Sequence, residues 1–453
     1  MKKTKYILAA LMLSATGAYA QYTNSGYFTE GYTYRHQLNP AFGNEKNYIS
    51  IPAIGNMNMG IVGNMNLQDF IYNIDGKTTT FLHPDVSASE FMGNIEDENE
   101  LNFDTRIQIL SVGFKGFGGY NTIGVSMRGS LYGMMPKALF QFAKEGITNK
   151  TYDISDFGLH TNAYAELALG HSRQINDKLR VGANLKFLFG LANIDAEFNK
   201  AKLRLGEDHW DATVNAEIQA SVKGLEYETE TSDFSGKPYV NGMDVDGFGL
   251  NGFGMAVDLG AEYKLNDTWR FSAALLDFGF ISWSNNMVAT TNGDKNVTTD
   301  KYKFDFDENA DPDFEDQIDN LGDELMSLYE LDDEGDKGGR TKMLGATINL
   351  GAEYTLPAYN KLKFGLMNTT RFQGTNTWTE FRLSANVAPV KIFSAGANIA
   401  AGTYGMGFGW ILSFHPKGFN LFAAMDHTLG KVSKEFVPLT SKGTFNLGVN
   451  IPF

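Results

Sequence analysis

The chain has 453 residues, a formal net charge of −15 and no cysteine. The negative charge argues against nucleic-acid binding, which needs clustered lysine and arginine. The lack of cysteine excludes disulfides, thiolate nucleophiles and cysteine–zinc sites.

The first twenty residues have the pattern of a secretory signal peptide. Lys2, Lys3 and Lys5 precede an apolar run, and Ala18-Tyr19-Ala20 is typical of a cleavage site. The run is shorter than the roughly 20 residues of a membrane-spanning helix, and no later apolar stretch reaches that length. We therefore expect residues 1–20 to be removed on export, which makes the mature chain more acidic by three charges.

Residues 21–46 are rich in tyrosine, glycine, threonine and asparagine and lack the alternation of a strand. They end near Asn39-Pro40-Ala41, where proline presets a turn and the asparagine side chain can hydrogen-bond the adjacent backbone. We predict that this segment is a plug that folds into a barrel formed by residues 47–453, on its periplasmic side.

Beyond residue 48, apolar and polar residues alternate with a period of two, which predicts strands with one apolar face. Asn176-Asp177 and Asn266-Asp267 predict the turns of two hairpins, and Gly118-Gly119 predicts a third. Alternation is weaker over 194–222, which leaves open whether two further strands there cross the membrane. Fourteen segments alternate clearly: 49–61, 103–109, 123–131, 163–169, 179–189, 253–263, 269–275, 344–354, 362–371, 381–387, 393–399, 408–414, 419–428 and 443–453.

The connections between these segments differ in length at the two ends of the predicted barrel. Short turns fall at one end, and the long segments 63–100, 132–158, 193–250 and 285–341 fall at the other. Short periplasmic turns with long extracellular loops are typical of outer-membrane barrels. Within one long loop, Pro136 and Gly146 are placed to begin and end a short helix.

The segment 305–336 holds fifteen aspartate and glutamate residues. Apolar residues spaced by four and three predict an amphipathic helix over 313–331, which either packs over the barrel mouth or binds a partner. Ala310 stands where a calcium loop needs glycine, and an aspartate replaces the usual bidentate glutamate, so a solvated acidic loop is favoured over a metal site. The weak calcium candidates are Asp305, Asp307, Asn309, Asp311, Asp313 and Asp316.

The last eleven residues have the alternation of a closing barrel strand. Apolar residues at odd positions alternate with Thr444, Asn446 and Asn450, and the chain stops at Phe453. This aromatic ending resembles the signal that the barrel-insertion machinery of the bacterial outer membrane reads. We therefore expect that machinery and the outer-membrane lipid to be partners of the chain.

Three short motifs stand out in the chain. They are Asn39-Pro40-Ala41 after Arg35, Val181-Gly182-Ala183-Asn184-Leu185-Lys186-Phe187 with Gly190, and Val257-Asp258-Leu259-Gly260-Ala261 with Leu276-Asp277-Phe278-Gly279-Phe280. These motifs resemble the long-chain fatty-acid transporter (FadL-like) superfamily, and are closest to its PorV-like and uncharacterised outer-membrane branches. The resemblance implies a fourteen-stranded outer-membrane barrel of a Gram-negative bacterium with an N-terminal plug, but it does not identify a substrate. The long acidic insertion departs from the transporter pattern.

Polar residues that alternate with the apolar face are predicted to point into the lumen. They either line a conduit or ligand site, or pair with one another and with the plug so that buried charge is compensated; the second interpretation is favoured. The residues are Arg106, Arg128, Glu166, Lys186, Asp258, Glu262, Glu353 and Arg382.

The sequence contains no motif that predicts an enzyme or a cofactor. The glycine pattern at 247–252 opens a strand instead of a helix, so it does not predict dinucleotide binding. We therefore expect an all-β outer-membrane barrel that transports or binds small hydrophobic ligands. The alternative is a PorV-like interaction barrel that assists protein secretion or surface attachment, with an exported protein as its partner.

Overall fold

The computed structural model describes residues 23–44, 46–146, 148–206, 209–232, 235–247, 249–298, 327–374, 376–427 and 442–453. Its main feature is a closed antiparallel barrel of fourteen strands that encloses the N-terminal segment. The predicted signal peptide and the six calcium candidates lie outside the described residues.

Twenty-five strands occur among the described residues, together with two short α-helices and four 3₁₀ turns. The strands are β1 Tyr48–Ser50, β2 Met57–Gly63, β3 Ile71–Ile74, β4 Lys77–Thr80, β5 Glu98–Gly116, β6 Gly119–Pro136, β7 Thr148–Asp153, β8 Gly158–Gln174, β9 Leu179–Leu205, β10 Trp210–Val222, β11 Leu225–Thr231, β12 Pro238–Val245, β13 Gly252–Lys264, β14 Trp269–Trp283, β15 Met287–Thr290, β16 Lys295–Thr298, β17 Asp332–Asp336, β18 Arg340–Met343, β19 Ala346–Thr355, β20 Leu362–Phe372, β21 Trp378–Val390, β22 Phe393–Gly402, β23 Gly405–Phe414, β24 Asn420–Met425 and β25 Lys442–Pro452. The helices are α1 Ala88–Met92 and α2 Lys137–Glu145, and the 3₁₀ turns are Asn24–Gly26, Thr33–Gln37, Leu67–Asp69 and Ser327–Tyr329.

The barrel closes because its first and last strands pair. β1 and β2 follow one another along the same line and both pair with β5 on one side and β25 on the other. From β5 the order around the wall is β6, β8, β9, β13, β14, β19, and then β20 to β25 in sequence. The predicted count of fourteen is therefore confirmed.

The weak alternation over 194–222 belongs to a sheet that extends beyond the barrel wall. The distal half of β9 pairs with β10, which pairs in turn with β15 and β16, and β15 pairs with β17. The inner surface of this outer sheet packs around Ala220, Leu225 and Tyr227. These strands are not part of the closed barrel, so the number of barrel strands remains fourteen.

The predicted alternation sets the two faces of the wall. On β9, Asn184, Lys186 and Leu188 are buried, whereas Leu185 is 38% exposed. On the paired β13, Asp258 is buried between the exposed Val257 and Leu259. Because strand side chains alternate faces, the wall has a polar or small-residue interior and an apolar exterior.

Asparagine side chains close two of the short turns as predicted. The Asn176 side chain accepts hydrogen bonds from the amides of Lys178 and Leu179, and Asn266 does the same for the next hairpin. The third turn lies one residue earlier than predicted. It is formed by Phe117 and Gly118, both with positive φ, so the exposed Phe117 takes a left-handed conformation where glycine was expected.

The long-loop end carries the predicted helix. α2 follows Pro136 and ends at Gly146, whose φ is +69°. Its Phe140 packs with Phe91 of α1 and with the aromatic residues of the β3–β4 hairpin. This cluster and the outer sheet make the long-loop end a packed layer.

The acidic segment differs from its prediction where it is described. Residues 313–326 of the predicted amphipathic helix lie outside the described residues, and 327–331 form a 3₁₀ turn followed by extended chain. The last five residues form β17, which pairs with β15. These five residues were predicted from their charge to lie in a solvated loop, but they pair instead with the edge of the outer sheet.

None of the helices in the described part of the chain has the length and apolarity to cross a membrane.

A charge on the outer face tests the assignment of the two faces. We expect Leu185→Arg to reduce the yield of heat-modifiable folded barrel in lipid, because arginine on the lipid face near the midplane costs about 2–4 kcal/mol. Leu185→Phe, which keeps the position apolar, is the matched control. Equal yields of the two variants in a gel-shift folding assay would contradict the assignment.

Candidate functional site

The N-terminal segment fills the barrel at its short-turn end. Among residues 23–42, only Glu30 and Gly31 are exposed. Its aromatic residues form one core with side chains of the wall, including Met367, Ile411 and Phe422. We call residues 23–44 the plug, because together with this core they occupy the lumen.

Asn39-Pro40-Ala41 docks the end of the plug on the wall. The Asn39 amide group donates to the hydroxyl of Tyr27 at 3.3 Å and to the carbonyls of Ala261 and Ala273 at 3.3 and 3.2 Å. Its oxygen accepts from the Ala41 amide at 2.9 Å. The motif is therefore a buried turn whose side chain binds two wall strands at once.

Glycines in the wall make this docking possible. Gly182 and Gly260 are paired across β9 and β13, and a Cβ at either position would overlap the backbone or side chain of Asn39-Pro40-Ala41. Other inward glycines leave room for the plug in the same way: Gly351, Gly365, Gly396 and Gly409.

Inward asparagines bind the plug between these glycines. Asn349 donates to the Leu38 carbonyl at 3.0 Å, and Asn420 donates to the Gly31 carbonyl at 3.0 Å. Asn398 donates to the Ser25 hydroxyl at 2.9 Å. Buried polar groups need hydrogen-bond partners. These bonds provide partners for the side-chain amides of the wall and for the irregular backbone of the plug.

Asp426 holds the beginning of the plug. Its carboxylate accepts from the amides of Asn24 and Ser25 at 2.6 and 2.7 Å. Arg382 lies 3.4 Å from this carboxylate and 2.6 Å from Glu380. Asp426 directly follows β24, so these bonds tie the beginning of the plug to that strand of the wall.

An ion pair holds the plug at the short-turn end. Lys363 lies 2.6 Å from Glu30 and 3.3 Å from Glu353 of the wall. Burial raises the pKa of Glu30, but the hydrogen bond and charge of Lys363 outweigh burial and hold this pKa below its ordinary value. Glu30 therefore stays ionised at neutral pH.

A charged network crosses the lumen above the plug. Glu166 lies 2.6 Å from Arg106 and 3.1 Å from Arg128. Arg128 also binds Asp277 through two nitrogens, at 2.9 and 3.1 Å. Lys186 lies 2.6 Å from Asp277, and it completes the network by binding Asp258 at 2.7 Å.

The structure thus brings five of the eight predicted lumen residues into one network. Glu353 and Arg382 belong instead to the two plug contacts described above. Glu262 lies 3.9 Å from Arg270. The observed contacts match the interpretation in which these charges pair with one another and with the plug.

Asp277 is central to the network but does not follow the simple alternation of β14. A register shift between β13 and β14 inserts an extra residue here, and Asp277 has a φ of +57°. Leu276 and Asp277 are consequently both buried. The sequence feature that could have indicated this inward position is that Asp277 is the single charged residue in the motif Leu276-Asp277-Phe278-Gly279-Phe280.

A small void lies below the network, between the plug and the wall. It measures about 20 Å³ and is lined by His36 and Gln37 of the plug and by Arg106, Lys186 and Asp258. This volume suits a single water molecule. Burial lowers the pKa of His36 to about 4, so its ring is neutral at pH 7.

A larger cavity of about 410 Å³ lies above the network, toward the long loops. Arg128 and Asp277 form part of its floor, and Asn376 of the β20–β21 loop lies at its rim. Asn376 bonds Asn102 of β5 at 3.2 Å, so this loop crosses the barrel mouth. The volume lies within the range of roughly 300–1,000 Å³ that small-ligand sites occupy.

No group of three or more histidine, aspartate or glutamate residues in the described ranges is arranged to hold a metal ion. The charged lumen residues have other charged residues as their partners. The arrangement can bind and exclude solutes, and it contains a plug that obstructs passage.

One family model matches most of the chain. A family model described as "Family of unknown function (DUF5723)" matches residues 40–426. No curated protein matches the chain.

Several solved barrels are similar to the chain. The toluene transporter TbuX of Ralstonia pickettii is 10% identical, with a TM-score of 0.41, over 97% of this chain and 95% of that one. The toluene transporter TodX of P. putida is 9% identical, with a TM-score of 0.40, over 96% and 94%. A FadL homologue of Pseudomonas aeruginosa is 11% identical, with a TM-score of 0.37, over 96% and 100%.

A larger side chain at Gly182, where Asn39-Pro40-Ala41 packs against the wall, should loosen the plug. We expect Gly182→Val to displace Asn39-Pro40-Ala41, because the added Cβ would overlap the Pro40 carbonyl. Trypsin should then cleave after Arg35 faster than in the wild type, as measured by mass spectrometry on folded protein in detergent. Gly133→Val is the control, since the nearest atom to its Cβ is 3.8 Å away. If both folded variants are cleaved at the wild-type rate, the contact between Gly182 and Asn39-Pro40-Ala41 does not hold the plug.

Proposed function

The chain belongs to the DUF5723 family, whose function is unknown, and we propose that it is an outer-membrane barrel that binds small ligands and passes them when its plug moves. The observation that carries the proposal is the layered lumen. A cavity at the long-loop end, a charged network and a plug follow one another along the barrel axis.

Closure and the apolar exterior support a location in the outer membrane. Lipid offers no hydrogen bonds to backbone groups, so a sheet crosses it only as a closed barrel. The exterior carries large apolar side chains on several strands, such as Leu259, Leu350 and Leu383. The exposed Phe453 and the closing strand β25 support recognition by the insertion machinery. By analogy with such barrels, the short-turn end faces the periplasm.

The plug supports controlled passage. It binds the wall mainly through individual hydrogen bonds, two of them to the Asp426 carboxylate, and through the ion pair between Glu30 and Lys363. Such contacts exchange more readily than the continuous backbone pairing of the wall. A ligand that competes for these contacts shifts the equilibrium between the docked and the displaced plug. The shift is set by the difference between the ligand's affinities for these two states.

The resemblance to fatty-acid transporters makes a hydrophobic ligand the first class to test. The cavity is bordered by Met343 and Phe372, which are 66% and 48% exposed on the outside of the barrel. A hydrophobic solute in the membrane would therefore meet apolar side chains beside the cavity. No enzymatic step is included, because the lumen charges are engaged with one another.

The outer sheet favours the alternative, an interaction barrel. β10, β15 and β17 extend the wall into a layer with its own apolar core, which exceeds what a ligand cavity needs. An exported protein bound to this layer is the partner that the alternative requires. Co-purification of a partner that is lost when this layer is removed, with permeability unchanged, would favour it.

Accessibility on intact cells tests the location and the orientation. An epitope tag inserted at Gly338, whose surroundings are open, should bind antibody added outside the cell. A tag at Asn266, in a short turn, should bind only after the outer membrane is opened. The opposite labelling pattern would invert the topology.

Deleting the plug tests controlled passage. We expect removal of residues 22–38, with the signal peptide kept, to leave a heat-modifiable barrel with higher single-channel conductance or permeability to hydrophobic probes. The lumen would lose the aromatic core of the plug while the wall kept its pairing. Deleting 73–78 in the β3–β4 hairpin, far from the plug, is the control. A truncated barrel that inserts normally at wild-type conductance would contradict the proposal.

A further inference from the structure

Several polar side chains point into the large cavity. Strand alternation directs Asp104, Ser130 and Asn162 inward, whereas their apolar neighbours Phe103 and Leu131 alternate with them. A purely hydrophobic ligand would leave these inward groups without water and without partners, which costs free energy. The chemistry of the lining therefore favours a ligand rich in hydrogen-bonding groups.

The charges in the cavity lining compensate one another. Arg128 binds Asp277, and Lys342 lies 2.7 Å from Asp195. Arg371 lies 3.9 Å from Asp104 and donates to Gln373 at 3.0 Å. A charged ligand would disturb pairs that are already formed, so the lining favours a neutral ligand.

Asn162 of β8 contributes an amide side chain to the lining. An amide group donates and accepts hydrogen bonds, so it can pair with a ligand hydroxyl group.

Aromatic rings supply a flat surface in the same cavity. Tyr132 and His160 are stacked, with centroids 5.7 Å apart and planes at 11°. His160 is held by Asp195, which lies 2.8 Å from its Nδ1. The Tyr164 ring also lines the cavity and carries the guanidinium of Arg128 at 5.5 Å. Rings fixed in this way present apolar faces beside hydrogen-bonding groups.

We propose that the cavity binds a neutral mono- or disaccharide. A sugar ring combines C–H groups, which pack on aromatic faces, with hydroxyl groups that donate to Asp104 and accept from amide and guanidinium groups. The volume of about 410 Å³ suits a ligand of this size. This inference rests on the proposed function, since it names the ligand class of the same site.

Binding to the intact, plugged barrel tests the ligand class. Purified full-length protein in detergent is titrated calorimetrically with glucose, galactose, N-acetylglucosamine, maltose, cellobiose and lactose, and with toluene and decanoate. We expect saturable binding of at least one sugar. Asn162→Leu and Tyr132→Leu should each weaken it by about tenfold or more, since each removes a contact to the ligand.

Asn199→Leu is the matched control, because Asn199 is an exposed asparagine of β9 outside the cavity. All variants are first checked for heat-modifiability, so that a misfolded barrel is not scored as a loss of binding. Sugar binding that both cavity variants retain at wild-type strength would overturn the assignment of the cavity.

The remaining outcomes separate this inference from the proposed function. If toluene or decanoate binds and no sugar does, the sugar assignment is wrong while the transport proposal stands. If nothing binds, the sugar assignment is equally wrong. If a sugar binds but plug deletion leaves conductance unchanged, the ligand class stands and controlled passage fails.

Discussion

The pairing of β25 with β1 and β2 is the constraint on which the rest of the molecule depends. It joins residues almost four hundred positions apart and removes both edges of the wall. Once the ring is closed, every inward side chain faces the same lumen. A lumen of this kind must be filled with water, with charge pairs or with protein, and this chain has charge pairs and the plug at different heights.

The plug and the wall are complementary in composition. Irregular backbone is tolerated inside a barrel only where side chains hydrogen-bond it, and asparagines such as Asn349 and Asn420 do this. Glycines such as Gly182 and Gly260 let the plug backbone approach where a side chain would exclude it. The glycine and asparagine content of the strands, which local strand propensity disfavours, thus follows from the presence of the plug.

Alternation and turn chemistry were enough to predict the barrel, its strand number and the short turns at Asn176 and Asn266. They were not enough where pairing departs from regularity. The bulge at Asp277 changes which side of β14 faces inward, and a period of two cannot predict it. Asp426 was missed because its partner Asn24 is 402 residues away. Strand β17 was missed because its acidic residues resemble a solvated loop until β15 pairs with them.

The charged network connects these irregular features to the division of the lumen. Lys186 contacts both Asp258 and Asp277, so its ammonium group bridges the two strands where the bulge disturbs their register. Removing one partner of a buried pair costs about 3–5 kcal/mol, so each charge depends on the others to remain buried. The network therefore separates the upper cavity from the void beside the plug as one unit. Asp426, which binds the first residues of the plug, is paired with Arg382, so a second set of charges holds the plug to the wall.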